Sequence, residues 1–378
     1  MNKNICIVHP NPEPKCETFI RAHIENLPGG NSILFGGHMP LYDHSGQELH
    51  PGLPADSTQL FSSTGLPENS LHEQAVRNLA EYLTTRNISV VLAEYGPTGV
   101  AMIEPCRLAG IPFVVHFHGF DASLKPILKK YRKGYDKLFK QTSAVICVSK
   151  EMKKDLLALG APEERLYVNP YGVDASLFAE AAPESAPGHF IAVGRFVDKK
   201  APETVVCAFS EVTRSIPDTT LTMIGDGALR ESCIRLADNL GLSNQVSFPG
   251  ALEHMEVAQE MRKARCFVQH SVTPKTGDKE GTPNSVLEAS ASGLPVVATR
   301  HAGIVEAVIH KQTGLLCDEY DFKTMAAHMV RIAENPDLAG RLGRAGRLHV
   351  TVKYDFESRL SNLASILEET IKRHQIQR

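Results

Sequence analysis

The sequence predicts an α/β protein built from two doubly wound domains that face each other across a cleft. Three observations carry this. Short β-branched apolar runs alternate with helical patterns along nearly the whole chain, as in βαβ units around a parallel sheet. The alternation breaks once, in a stretch rich in Ala, Glu, Ser and Pro over 173–187, which reads as a linker. At 378 residues the chain exceeds one ordinary domain and suits two of about 150 to 200. The expected plan is a first domain over 1–172, a second over 188–354, and a last helix over 355–378 that packs back toward the first.

In the first half the strands read as Ile5–Val8, Ser32–Phe35, Ser89–Ala93, Phe113–His116 and Ala144–Val148. Leu71 to Thr85 reads as a helix, because Ser70 with Glu73 three residues on forms a capping box that satisfies orphaned amides. The second half reads as strands Phe190–Val193, Leu221–Ile224, Val246–Phe248, Cys266–Gln269, Pro295–Ala298 and Gly314–Cys317. Helical patterns near Pro202–Ser215, Ala228–Asn239 and Met255–Lys263 separate the first of these, and Phe322–Glu334, Leu338–Val350 and Phe356–Arg373 close the chain. In such sheets ligands bind beyond the carboxyl ends of the strands, so the chemistry belongs in the strand-to-helix loops.

Composition narrows the function classes. With 42% hydrophobic and 22% charged residues the chain is a folded globular protein, and a net charge of -3 argues against nucleic-acid partners. The eight cysteines form no Cys-x-x-Cys pair, and Cys147, Cys207, Cys266 and Cys317 lie in apolar runs, which favours a reducing cytoplasm. Neither a signal peptide nor a run of 18 apolar residues is visible, so no membrane span is expected.

The most informative segment runs Glu280-Gly281-Thr282-Pro283-Asn284-Ser285-Val286-Leu287-Glu288 and continues to Gly293-Leu294-Pro295-Val296-Val297-Ala298. It reads as loop, helix, turn and strand, with Thr282 as N-cap, Pro283 at the first helical position and Gly293 just past the helix end. A helix start offers free amides and a partial positive charge, which suits a diphosphate. Glu280 stands where a carboxylate can accept from sugar hydroxyls, and Glu288 two turns on can accept from a ribose.

Two glutamates separated by seven residues around Gly-Thr-Pro, closed by Gly-Leu-Pro-Val-Val-Ala, resemble the large retaining glycosyltransferase family of the GT-B type, two Rossmann-like domains, typical of bacterial polysaccharide biosynthesis. The resemblance spans nearly the whole chain and implies that Glu280 contacts the transferred sugar and Glu288 the nucleotide ribose. It also implies that Gly194, Arg195 and Lys200, in Gly194-Arg195-Phe196-Val197-Asp198-Lys199-Lys200-Ala201, flank and clamp the donor diphosphate. A guanidinium and an ammonium there stabilise the charge that builds on the leaving group. Ala201 replaces the family's glycine, and Lys199 is the alternative to Lys200. Gly225, Asp226 and Gly250 match loops beside the nucleotide. His118, in His118-Gly119-Phe120-Asp121, is implied near the transferred sugar, with Asp121 near the acceptor or supporting the loop. Cys16-Glu17-Thr18-Phe19 resembles a Ser-Glu-Thr-Phe element and makes Glu17 and Thr18 acceptor candidates, although both are also good helix caps.

The expected reaction is transfer of a sugar from a nucleotide diphosphate donor, UDP- or GDP-linked, to a glycan or lipid-linked acceptor, with no cofactor. There is no Asp-x-Asp, so no metal site for the diphosphate is expected and Arg195, Lys200 and the helix start take its place. Two other classes fit less well: a sugar-nucleotide epimerase of the same architecture, and a non-catalytic sugar-nucleotide binding protein. Between Leu124 and Lys140 apolar residues recur at helical spacing opposite Lys125, Lys129, Lys130, Arg132, Lys133, Lys137 and Lys140. That face is either a solvated helix surface or a peripheral contact with the inner face of the plasma membrane.

Overall fold

A computed structural model of the chain describes residues 4–11, 17–51, 70–178 and 180–377. The chain divides into two compact units, residues 1–170 with 357–378, and residues 171–356.

In the first unit, β1 (Asn4–Val8), β2 (Gly30–Phe35), β3 (Tyr42–Asp43), β4 (Val90–Glu94), β5 (Phe113–Phe117), β6 (Ala144–Cys147) and β7 (Leu166–Val168) form one sheet in the order β3-β2-β1-β4-β5-β6-β7. All neighbours pair in parallel except the short edge strand β3. The central strands are buried on both faces, which is why they read as unbroken apolar runs and not as alternation. Helices α1 (Thr18–Asn26), α2 (Ser70–Thr85), α3 (Gly96–Ala109), α4 (Phe120–Ser123), α5 (Lys125–Gln141) and α6 (Lys150–Ala158) make the connections among the described residues. The side chain of Ser70, expected as a cap, lies outside the described residues.

In the second unit, β8 (His189–Val193), β9 (Thr220–Ile224), β10 (Val246–Gly250), β11 (Cys266–Gln269), β12 (Val296–Thr299) and β13 (Gly314–Cys317) form a fully parallel sheet in the order β10-β9-β8-β11-β12-β13. Its helices are α7 (Pro202–Ser215), α8 (Arg230–Asn239), α9 (His254–Lys263), α10 (Asn284–Ala291), α11 (Ile304–Ala307), α12 (Phe322–Glu334) and α13 (Pro336–Lys353). In each unit the strand order reverses once, between β1 and β4 and between β8 and β11, and a crevice opens beyond the carboxyl ends at such a point.

Residues 173–187, expected to be a linker, belong to the second unit: Val173 bridges to Asp355, and Phe178 and Ala181 are buried in its core. Helix α14 (Phe356–Gln377) belongs, from Glu357 on, to the first unit, where Asn169 donates to the Arg359 carbonyl and His374 pairs with the Gly110 carbonyl. No helix among the described residues is long and apolar enough to cross a membrane.

Candidate functional site

In the second unit the loop after β8 begins at Gly194 and tightens into a single 3-10 turn, Asp198–Lys200. Ala201 follows at φ 36° and ψ 54°, the left-handed region that favours glycine. The alanine therefore preserves the turn and carries a backbone strain of about 1 kcal/mol. From this turn the Lys200 ammonium reaches the Glu280 Oε1 atom at 2.9 Å, and its stem passes over Gly194, where a Cβ would stand 3.5 Å from Lys200 Cε. Gly194, Arg195 and Lys200 line a pocket with Val268, Gln269 and His270 from the end of β11. Arg195 is exposed. Lys199, the alternative to Lys200, is not surface charge. It is buried and holds the loop before Glu280 by bonding Asp278 at 3.1 Å and the Lys279 carbonyl at 3.4 Å.

Glu280 is 8% exposed. Burial alone raises its pKa, but Lys200 and Lys199 outweigh that and bring it down to about 2, so the carboxylate is fixed as an anion. Ser271 Oγ lies 3.3 Å from Oε1, and the Glu280 amide donates to His301 Nε2 at 3.1 Å. The helix behind it starts one residue later than expected. Pro283, not Thr282, is the N-cap, no side chain caps the end, and Asn284 is the first helical residue. Thr282 thus stands one residue before the N-cap position expected of it. Thr282 and Gly281 are buried in the approach. Gly293 ends the helix at φ 78°, as its position implies. Glu288 is partly buried and sits 3.2 Å from His254 Nε2.

Gly225 and Gly227 owe their identity to neighbouring backbone: a Cβ on Gly225 would stand 2.0 Å from the Gly194 carbonyl oxygen, and one on Gly227 2.6 Å from that of Phe196. They close the β8 and β9 loops against each other. Asp226 is exposed and accepts from the Gly227 amide, while the Gly250 carbonyl accepts from Gly225.

In the first unit the ends of β4 and β5 bring together groups the sequence does not place side by side. Glu94, fully buried, accepts from His23 Nδ1 and His118 Nε2, both at 2.7 Å, and His116 Nδ1 stands 3.7 Å away. Burial raises the Glu94 pKa, but His23 and His118 outweigh it and hold the carboxyl well below its usual range. Burial drives the His116 imidazole in the opposite sense, well below its usual value, so it stays neutral. His23, Glu94 and His116 are close enough to share a cation. The 2.7 Å separation of His23 and Glu94 is nevertheless a hydrogen bond, shorter than the roughly 3.3 Å between two ligands of a tetrahedral zinc ion.

The His118 ring packs between Phe19 (4.5 Å) and Tyr95 (4.7 Å), and its side chain is 3% exposed, so it is turned inward and not toward solvent. Asp121 is buried and supports the loop: Oδ1 accepts from the His118 and Gly119 amides, Oδ2 from the Gly96 amide. These bonds are those of the loop-supporting alternative for Asp121. Glu17 takes the N-cap position of α1, but its side chain makes no cap bond. Its carboxylate instead accepts from the Tyr95 hydroxyl at 2.5 Å and Asn11 Nδ2 at 2.7 Å, while Thr18 opens the helix and Cys16 lies outside the described residues. On α5 the buried side is Tyr131, Tyr135, Leu138 and Phe139. Lys125, Lys129, Lys130, Arg132, Lys133 and Lys140 are exposed, and Lys137 bonds Glu104 at 2.6 Å.

Comparison with known proteins assigns this arrangement. Residues 176–349 match the family model for glycosyl transferases group 1, and residues 51–177 match that for glycosyltransferase family 4. A protein of Escherichia coli K12 named as a colanic acid biosynthesis glycosyltransferase, WcaL, is 30% identical over 288 residues, covering 74% of this chain and 70% of its own. The chain belongs to the group 1 glycosyltransferases. A GDP-mannose-dependent alpha-(1-6)-phosphatidylinositol monomannoside mannosyltransferase of Mycobacterium tuberculosis is 28% identical, covering 71% of this chain and 73% of its own. The crystal structure of Anabaena HepE in complex with UDP and glucose superposes with a TM-score of 0.77 at 18% identity, covering 97% of this chain and all of that one, and shares its GT-B fold. This glycosyltransferase thus carries Glu280, Lys200 and Arg195 together in one unit, and a Glu94-centred histidine cluster in the other.

The sequence reading missed Glu94, His23, His116, His254, His301 and Glu319. One of them had a signal: His116 and His118 are two apart at a strand end and so share one face.

Proposed function

We propose that this glycosyltransferase is retaining and independent of metal, and moves a hexose from a UDP- or GDP-linked donor to a glycan or lipid-linked acceptor in the assembly of cell-surface polysaccharide. The observation that carries the reading is that Lys200, which lines a pocket with Arg195 where the β8 and β11 ends open, also holds the Glu280 carboxylate at 2.9 Å. The relatives support its details: the E. coli protein is named for colanic acid biosynthesis, the mycobacterial enzyme for GDP-mannose and phosphatidylinositol monomannoside.

In the proposed step the bond from the anomeric carbon to the diphosphate oxygen breaks. The acceptor oxygen bonds to the same face of the sugar, and its proton passes to the departing phosphate. Arg195 and Lys200 stabilise the growing negative charge, which is the task fixed cations perform best away from water. Glu280, permanently ionised, accepts from sugar hydroxyls, and Glu288 does so from the ribose. Gly194, Gly225, Asp226, Gly250, Gly281, Thr282, Pro283 and Asn284 form the loops around the donor. His118 orders the loop it anchors beside the transferred sugar, with Glu17 and Thr18 on the acceptor side. The exposed cations of α5 contact an anionic membrane surface, a contribution of about 1 kcal/mol each.

A thermal-shift panel of UDP, GDP and ADP and their sugars tests the donor, since a ligand at 100 times its Kd raises stability by about 2.7 kcal/mol. The same panel on Glu288→Ala should lose the shift. Anomer-resolved NMR of the product tests retention, and inversion refutes it. Activity abolished by EDTA and restored by manganese or magnesium refutes metal independence.

A further inference from the structure

We propose that His301 and Glu319 form a positioning relay that fixes the backbone of Glu280 and so presents its carboxylate to the donor sugar. The inference rests on the reading of Glu280 given above.

The relay joins the ends of three strands. Glu280, in the loop that follows β11, donates its amide N–H to His301 Nε2 at 3.1 Å. His301 follows β12, and its Nδ1 lies 2.6 Å from Glu319 Oε1. Glu319 follows β13, and its second oxygen accepts from the Thr273 amide at 2.8 Å, back on the loop that leads to Glu280. A backbone N–H can only donate, so Nε2 must carry a lone pair and the ring proton must sit on Nδ1, facing the Glu319 carboxylate. The two hydrogen bonds together select one neutral tautomer. Without the carboxylate, the ring is free to place its proton on Nε2, where it opposes the Glu280 N–H.

A satisfied core histidine is the simpler alternative. Backbone strain argues against it. Ala302 (φ 39°) and Tyr320 (φ 65°) are non-glycine residues in the left-handed region, and each immediately follows one of the two relay residues. Such conformations persist where surrounding contacts over-determine them, and they gather at functional sites. Here the contacts are visible: the Tyr320 amide donates to His270 Nε2 at 2.8 Å, and Gly303 lies so close to the Gly281 carbonyl oxygen that a Cβ would come within 2.0 Å of it. Strain and hydrogen bonds thus converge on residues 280–281, where the Glu280 carboxylate is also held by Lys200 and Ser271.

The test uses the full chain. In protein labelled with 15N-histidine, His301, assigned by its loss in His301→Gln, should show a protonated Nδ1 and an unprotonated Nε2. The opposite tautomer overturns the relay. In kinetics, His301→Ala should slow release of UDP or GDP from the nucleotide sugar that the wild-type protein turns over by about 10- to 100-fold, because a buried amide loses its acceptor. Affinity for the free nucleoside diphosphate should stay within about 3-fold, since Glu288 is untouched. His301→Gln, whose amide oxygen reaches as far as Nε2, should recover most of the rate, and Glu319→Ala should fall between. Wild-type turnover in His301→Ala, a parallel loss of nucleotide affinity, or no recovery in a folded His301→Gln overturns the proposal. If His301→Ala does not fold, Glu319→Ala decides, because that side chain is 27% exposed and leaves little cavity. If the wild-type protein binds none of UDP, GDP and ADP, the donor reading fails instead, and the His301 tautomer alone decides the relay.

Discussion

Each unit buries a carboxylate at the ends of its strands, Glu94 in the first and Glu280 in the second, and the two are neutralised differently. Glu94 sits among imidazoles, with His23 and His118 bonded to it and His116 beside it. Glu280 is held by the Lys200 ammonium. The first carboxylate is thus held by ring N–H donors within a buried network, and the second by an ion pair with a flexible ammonium. The first is a closed network whose oxygens are occupied by the protein itself. The second is tied through Lys200 to a pocket that Lys200 and Arg195 both line. Burial and an ion pair occur in both, so neither marks the chemistry by itself. What separates them is that the cation of the second, Lys200, also lines a pocket.

The largest effect expected is on Glu94. Replacing it with alanine strands the histidines around a removed charge, and the first unit should lose about 3 to 5 kcal/mol, read by chemical denaturation, while nucleotide binding to the folded fraction is unchanged. An equal loss of nucleotide affinity would show that the contrast between the units is false.

Next comes Arg195→Ala, which should cut turnover by about 100- to 1,000-fold with little change in the Michaelis constant for the donor. Lys200→Ala should follow it. Lys199→Ala, by contrast, should lower stability more than turnover, since Lys199 braces Asp278 and not the pocket. A silent Arg195→Ala removes the proposed role of this loop.

Acid should distinguish the two sites. Burial holds the folded-state pKa of His116 far below 6.5, so its contribution to stability is present above about 6.5 and declines as the unfolded chain takes up protons below that. Glu280, lowered from 4.5 to about 2, contributes stability that is complete above about 4.5 and fades toward 2, of the order of 3 kcal/mol. Denaturation across this range should be flattened in its upper part by His116→Gln and in its lower part by Glu280→Gln. Identical profiles for the two variants would contradict the assignment.

The smallest effect expected is at Ala201. Glycine there relieves the left-handed strain but loosens the unfolded chain, so Ala201→Gly should raise stability by only about 0.5 kcal/mol. A loss of stability would mean the alanine methyl group matters to the turn.

Legibility in the sequence follows the range of the forces involved. The two sheets could be read because buried parallel strands leave unbroken apolar runs, and the Gly293 helix end because its backbone angle demands glycine. Strands β3 and β7, two and three residues long, are too short to show any period. Residues 173–187 have a linker's composition, yet Phe178 is 1% exposed: Val173, Phe178 and Ala181 docked on a core are enough to anchor a polar stretch. In the candidate site, Glu280, Lys200 and Arg195 were readable because they belong to a motif with fixed spacing. Glu94 pairs with a histidine 71 positions away, and His301 with a carboxylate 18 positions away. Those contacts are set by strand order, which no local pattern encodes.

Helix α14 has a consequence for how the protein is made. Every strand and helix of the second unit lies within one uninterrupted stretch, 171–356, whereas the first unit needs both 1–170 and the residues after 356. During synthesis the second unit can therefore close as soon as its last helix clears the ribosome, whereas the first waits, with Asn169 and the Gly110 carbonyl lacking their partners on α14. The half of the molecule translated first is the last to be finished, and a released chain truncated after residue 356 should hold a protease-resistant second unit beside a first unit that is still open to cleavage.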